Sequence, residues 1–129
     1  MTMTSSRPYL IRALYEWIVD NNCTPHVLVN TLASGVVVPQ QHVKNDQIVL
    51  NVAPSAIANF LLDNTVMQFD ARFSGMPMRI VVPMYAVLGI YARENGQGMI
   101  FEPEEPTPPP DDNAGETRPE QRPRLKVVK

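Results

Sequence analysis

The sequence predicts a mainly β fold with an N-terminal α-helix: a small bent antiparallel sheet, or partly open barrel, followed by a disordered C-terminal tail. Three observations carry that expectation. Helical apolar spacing is confined to the first 20 or so residues. Beyond Thr24 the apolar residues fall into short runs, several with period two, separated by Asn, Gly and Pro. After Phe101 there is no aromatic residue, and seven of the 13 prolines crowd into residues 102–129, a composition that cannot bury a core.

The helix comes first. Ser5 or Ser6 can accept hydrogen bonds from first-turn amides, Pro8 suits the first turn because its missing N–H would have no partner there, and Asn21-Asn22 closes the run. Leu10, Ala13, Leu14, Trp17 and Ile18 follow helical spacing and make one face. Tyr9, Ile11, Tyr15 and Val19 lie off that stripe, so the helix is apolar over more surface than one core contact requires. The excess suits either deeper burial or a second copy of the chain.

After Thr24-Pro25, Val27 and Val29 alternate with Leu28 and Asn30 as in a strand; a further short strand is expected at 36–38, before Pro39. Asn45-Asp46 marks a turn into a strand at 47–52, ended by Pro54. Residues 55–62 are ambiguous between helix and strand; Asp63-Asn64 reads as a hairpin turn, which favours strand. It feeds a strand at 66–73, where Met67, Phe69, Ala71 and Phe73 share one face and Gln68, Asp70 and Arg72 the other. After Ser74-Gly75 come strands at 78–82 and 87–92, a helical turn at 84–86, and, past Asn95-Gly96-Gln97-Gly98, a short strand at 99–101.

Charge divides the chain in the same place. Residues 1–101 carry six basic and six acidic side chains; residues 102–129 carry seven acids, mostly early, and five bases, mostly at the end, which accounts for the net −2. A neutral domain argues against nucleic-acid binding, which needs clustered cations. Residues 1–101 are therefore expected as one folded domain, 102–121 as a flexible Pro- and acid-rich linker, and 122–129 as a separate basic peptide. That octapeptide interleaves four cations with three aliphatic residues, the pattern of a docking motif or of a solvated terminus.

No constellation for chemistry is visible. His26, His42 and the single Cys23 have no metal-site spacing, one cysteine excludes an intrachain disulfide, and Gly96 and Gly98 do not precede a helix as a phosphate loop would. No enzyme activity, metal or cofactor is expected. Nor is there an apolar run of signal-peptide or bilayer-spanning length, so the expectation is a cytoplasmic protein with no membrane partner. What remains is binding, with an extended peptide added to a sheet edge as the physical mode.

Several motifs in order closely resemble the stringent starvation protein B family: Arg7-Pro8-Tyr9-Leu10 with Tyr15-Glu16-Trp17, Thr24-Pro25-His26, Gln47-Ile48-Val49-Leu50-Asn51, Ile90-Tyr91-Ala92-Arg93-Glu94-Asn95-Gly96, Phe101-Glu102-Pro103-Glu104, and the terminal Arg122-Pro123-Arg124-Leu125-Lys126-Val127-Val128-Lys129. The resemblance implies a non-catalytic homodimeric adaptor with an Sm-like fold. Such an adaptor binds the ssrA degradation tag on proteins from stalled ribosomes and delivers them to the N-terminal domain of ClpX in the ClpXP protease. It implies a tag groove built from 43–52, 57–60 and 67–73, with Ile57, Ala58, Phe69, Ala71, Arg72 and Phe73 as peptide contacts. Arg72 is the cation suited to an acidic tag residue. It also implies dimerisation through Leu10, Leu14, Trp17 and Ile18, and ClpX docking by Arg122, Pro123, Arg124, Leu125, Lys126, Val127, Val128 and Lys129.

On this reading, residues 103–121 form a leash with a root-mean-square span of roughly 24 Å. Such a leash keeps cargo at an effective concentration on the order of millimolar near the unfoldase. The competing class, an Sm-like RNA-binding module, is disfavoured by the neutral domain.

Overall fold

The computed structural model describes residues 3–102. Helix α1 (Arg7–Asp20) starts where the Arg7 amide donates to Ser5 Oγ at 3.1 Å, while Ser6, the residue at the cap position, makes no side-chain cap bond. It stops at Asn21, whose side-chain amide and backbone N–H both donate to the Trp17 carbonyl, and at Asn22, which takes a left-handed φ of 59°.

The face that the helix turns to the domain overlaps the apolar stripe only in part. Ile11 and Ile18 are buried, with Leu14 and Tyr15 half-buried beside them, whereas Leu10, Ala13 and Trp17 are exposed. Ile11, placed off the stripe by pattern, is at its centre. The reason is that apolar residues surround most of the helix, so several rotations about its axis satisfy the pattern and only tertiary packing selects one.

Among the described residues seven strands follow, all paired antiparallel in two sheets that do not close on each other. Strands β1 (Pro25–Asn30), β2 (Gln47–Asn51), β6 (Val87–Ala92) and β7 (Gly98–Ile100) form one sheet in the order β2-β1-β6-β7; β3 (Ala58–Leu62), β4 (Val66–Phe73) and β5 (Met76–Pro83) form the other in that order. Two hairpins have turns of the mirror-image type: Asn45-Asp46 with φ of 53° and 62°, and Ser74-Gly75 with φ of 56° and 82°. Their twist matches that of the flanking strands. Single 3₁₀ turns occur at Gln40–His42 and Met84–Ala86.

Two expected strands change. Residues 36–38 form no strand: Val37 alone exchanges hydrogen bonds with Val81 of β5, at 2.8 and 3.0 Å. Gly35 with φ 89° on one side and Pro39, without an N–H, on the other leave too little extended chain for a ladder. Strand β3 also begins later than residue 55, because the Ala56 amide donates back to the Ala53 carbonyl at 2.8 Å and makes a turn of the approach. Pro77 and Pro83 are tolerated in β5 because that strand is an edge.

The core lies between the two sheets and the helix. Val27, Val29, Ile48, Leu50, Ile90 and Ala92 come from one sheet, Met67, Phe69, Ile80 and Val82 from the other, and Ile11 and Ile18 from α1. Arg7 fastens the helix start to the end of the described chain: its guanidinium donates to the Val87 carbonyl at 2.9 Å and to the Glu102 carbonyl, and lies 4.9 Å from the Phe101 ring centre.

Candidate functional site

An open cleft of ≈ 410 Å³ lies beside the three-stranded sheet, lined by Ser55, Ala56, Ile57, Ala58, Asp70, Ala71, Arg72 and Pro77. Its shape follows from local rules. The turn at Ala53–Ala56 holds Ser55 and Ala56 outside the sheet. Pro77 stands opposite Arg72 across the β4–β5 ladder, offering an apolar ring and no donor. Strand β3 is one edge of the sheet, so among the described residues one row of its backbone groups has no strand partner and can accept an extended chain.

Four of the six expected peptide contacts, Ile57, Ala58, Ala71 and Arg72, meet in this cleft. The other two do not line it. Phe69 is fully buried and belongs to the core between the sheets. Phe73 is half-buried with its ring 5.6 Å from that of His42, past the end of the cleft. No residue of 43–52 lines the cleft either, because β2 belongs to the other sheet. Ser55, Ala56 and Pro77 lie outside the stretches expected to build the groove, and Asp70 lies within 67–73 but not among the expected contacts. Alternation placed Asp70 on the solvent side of β4, which was the one available signal.

The electrostatics of the cleft separate its two charges. Asp70 accepts from Asn59 Nδ2 at 2.7 Å and from the Arg79 guanidinium, and these bonds, Arg79 foremost, hold its carboxyl below the usual carboxylate range. Arg72 is exposed and donates to the Gly75 carbonyl at 3.3 Å. It forms no ion pair among the described residues. The charge left to act on a ligand is therefore positive.

The hairpin turn carrying β3 is tied to the helix. Arg12 stacks 4.8 Å from the Tyr9 ring centre and donates to Asn64 Oδ1 at 2.7 Å, and Asn64 donates to the Tyr9 hydroxyl at 3.1 Å. Asp63 accepts from the backbone amides of Thr65 and Val66, both at 2.9 Å, and these bonds lower its pKa. Tyr15 packs 5.0 Å from Phe60 of β3 and donates to the Val52 carbonyl.

Of the expected dimer residues, Leu10 and Trp17 are exposed and Leu14 is half-buried. Ile18, 2% exposed, belongs to the core of its own chain and is not accessible to a second copy. Met99 and Ile100 expose apolar surface on the edge strand β7. A smaller cavity of ≈ 160 Å³ at the helix end is lined by Trp17, Ile18, Asn21, Cys23, Ala92, Asn95 and Gln97. His26 sits edge-on to Tyr91, with burial lowering its pKa.

Among the described residues no three His, Cys, Asp or Glu side chains converge as a metal site requires, and no helix is long and apolar enough to cross a membrane. The terminal octapeptide and residues 103–121 lie outside the described residues.

A family model described as "Stringent starvation protein B" matches residues 5–129. A "Stringent starvation protein B homolog" of Haemophilus influenzae is 54% identical over 99 residues, covering 77% of this chain and 66% of that protein, just under two thirds of its length.

Proposed function

The chain belongs to the stringent starvation protein B family, and from that premise we propose that it is a proteolysis adaptor that binds the ssrA degradation tag and tethers tagged proteins to the ClpX unfoldase of ClpXP. It acts by binding and not by catalysis. The observation that carries the reading is the cleft beside the edge strand β3, where Ile57, Ala58 and Ala71 supply apolar wall and Arg72 supplies a positive charge. An extended peptide with small apolar side chains and an acidic residue fits that chemistry. In the full adaptor the domain is Sm-like, and two copies join through the exposed flank of α1, with Leu10, Leu14 and Trp17 at the contact.

Delivery is assigned to the terminal octapeptide. Leu125 and Val127 enter an apolar groove on the N-terminal domain of ClpX, with Val128 beside them, while Arg124 and Lys126 find acidic partners. Two such peptides per dimer raise apparent affinity by about 10²- to 10⁴-fold when both engage. Each contact remains weak enough to release cargo.

Deleting residues 122–129 tests the assignment. The truncated protein should bind a tag peptide as the full chain does, yet no longer accelerate degradation of a tagged substrate by ClpXP. Acceleration that survives the deletion would contradict the delivery role, and a full chain that fails to bind the tag would contradict the cargo role.

A further inference from the structure

Asp70 is placed to organise the cleft from within. Across the ladder it stands opposite Ala58 of β3 on one side and Arg79 of β5 on the other, so one side chain has partners on both neighbouring strands. Its Oδ2 accepts from Asn59 Nδ2 at 2.7 Å and from Arg79 Nη2 at 3.4 Å, and Arg79 Nε donates to Oδ1.

Asn59 is where β3 departs from regular pairing. Its φ is 54°, and the register with β4 shifts between Ala58 and Leu61. Asparagine is among the non-glycine residues that enter the left-handed region at least cost, and a side-chain hydrogen bond is enough to favour that conformation over the regular strand. The kink turns Phe60 toward the core, 5.0 Å from Tyr15 and 6.2 Å from Phe69 by ring centres. Ala58, one residue before the kink, remains on the cleft wall.

We propose that Asp70 is a positioning residue of the peptide cleft: anchored by Arg79, it fixes Asn59 and through it the kink in β3 that sets the cleft wall. This rests on reading the cleft as the tag-binding site. Ile57, Ala58, Ala71 and Arg72 make the ligand contacts, and Asp70 acts through Asn59. The same arrangement explains how a carboxylate can line a cleft for an acidic peptide, since Arg79 balances its charge and Arg72 sets the sign seen by the ligand. Exposed ion pairs hold sheets together only weakly, so global stability is not where the effect should appear.

The test uses the full chain with Asp70→Ala, Asn59→Ala, the double substitution and Asp70→Asn. Two quantities are read: amide hydrogen exchange along β3 in the free protein, and affinity for a fluorescent tag peptide. Asp70→Ala and Asn59→Ala should each speed exchange at residues 59–61 and weaken peptide binding, both by about tenfold. The double variant should be no worse than either single. Asp70→Asn, which keeps one acceptor oxygen for Asn59, should recover part of the loss.

Unchanged β3 exchange in Asp70→Ala would overturn the inference. So would losses that add in the double variant, or loss of binding in Asp70→Ala with Asn59→Ala unaffected, which would make Asp70 a direct ligand contact. If the unaltered chain bound no tag peptide, the functional reading would fail, and the exchange measurement would still decide whether Asp70 governs β3.

Discussion

Strand β6, at the centre of the four-stranded sheet, and strand β3, at the edge of the three-stranded one, are nearly equal in length and opposite in character. Five of the six residues of β6 are buried, and none of the five in β3 is. Strand β6 is flanked by β1 and β7 and covered by α1, whereas β3 meets β4 at three register pairs with a shift between the first two. Strand β3 touches the core only at its rim, through Phe60 and Leu62, and adds exposed polar contacts: the Asn59–Asp70–Arg79 bonds toward β4 and β5 and the Tyr9–Arg12–Asn64 contacts at its turn. On the proposed reading, the difference gives stability and binding to different strands. An edge whose geometry rests on exposed polar contacts can bend to a ligand without loosening the core.

The largest expected effect comes from opening the core that both sheets share. Phe69→Ala removes a fully buried ring and should cost about 3–5 kcal/mol of unfolding free energy in denaturant titration, with peptide binding lost as well. A stability loss without loss of binding would detach the cleft from that core. Next is Trp17→Asp. Trp17 is 47% exposed in the single chain, so folding should survive, while dimer affinity should fall by about 2 kcal/mol or more. Sedimentation showing an unaltered dimer would move the interface off α1.

Gly89→Ala probes the four-stranded sheet alone. A Cβ there would lie 2.5 Å from Ile100 Cδ1 and 2.9 Å from the Met99 carbonyl, so β7 must shift, at about 1–3 kcal/mol. Thermal unfolding should report that loss, with tag binding unchanged. Arg72→Ala is its converse on the other sheet: stability unchanged by the same assay, and affinity for an acidic tag peptide lowered about tenfold, or about 1.4 kcal/mol. Equal effects of both variants on both readouts would dissolve the contrast between the sheets.

The smallest effect is pH dependence. Glu94 clips β6 to the start of β1 by accepting from the Thr24 amide and hydroxyl, both at 2.8 Å, and those bonds lower its pKa from the usual 4.5. Asp63 is lowered from 3.8 by its own turn. A depressed carboxylate contributes stability that is complete above the unfolded value and is lost as the pH falls through the folded one. Melting temperature should therefore decline below about pH 4.5, less steeply in Glu94→Gln. A rise in that range would reverse the sign assigned to these groups.

Local chemistry made much of the fold readable. Alternation along residues 66–73 announced β4 and its inward face, and Asn45-Asp46 and Ser74-Gly75 marked turns that only residues tolerant of positive φ make cheaply. The rotation of α1 was not readable, since Ile11 and Leu10 are equally apolar and only the sheets beneath choose between them. Nor were 36–38, where three valines have strand propensity but Gly35 and Pro39 leave no room for a ladder. Part of the cleft depends on which residues pair across strands. Pro77 lines it because it stands opposite Arg72, and Asp70 meets Asn59 and Arg79 because of register. The two-residue turn at Ser74-Gly75 fixes the β4–β5 pairs, whereas the shifted β3–β4 register that brings Asn59 to Asp70 has no such local signal.

The most direct test of the division between the sheets is a titration of the isotopically labelled full chain with an ssrA tag peptide, followed residue by residue in the amide NMR spectrum. The account predicts shifts at Ser55, Ala56, Ile57, Ala58, Asp70, Ala71 and Arg72, with β1, β6 and β7 still. Shifts confined to the four-stranded sheet, with the cleft residues unmoved, would contradict it.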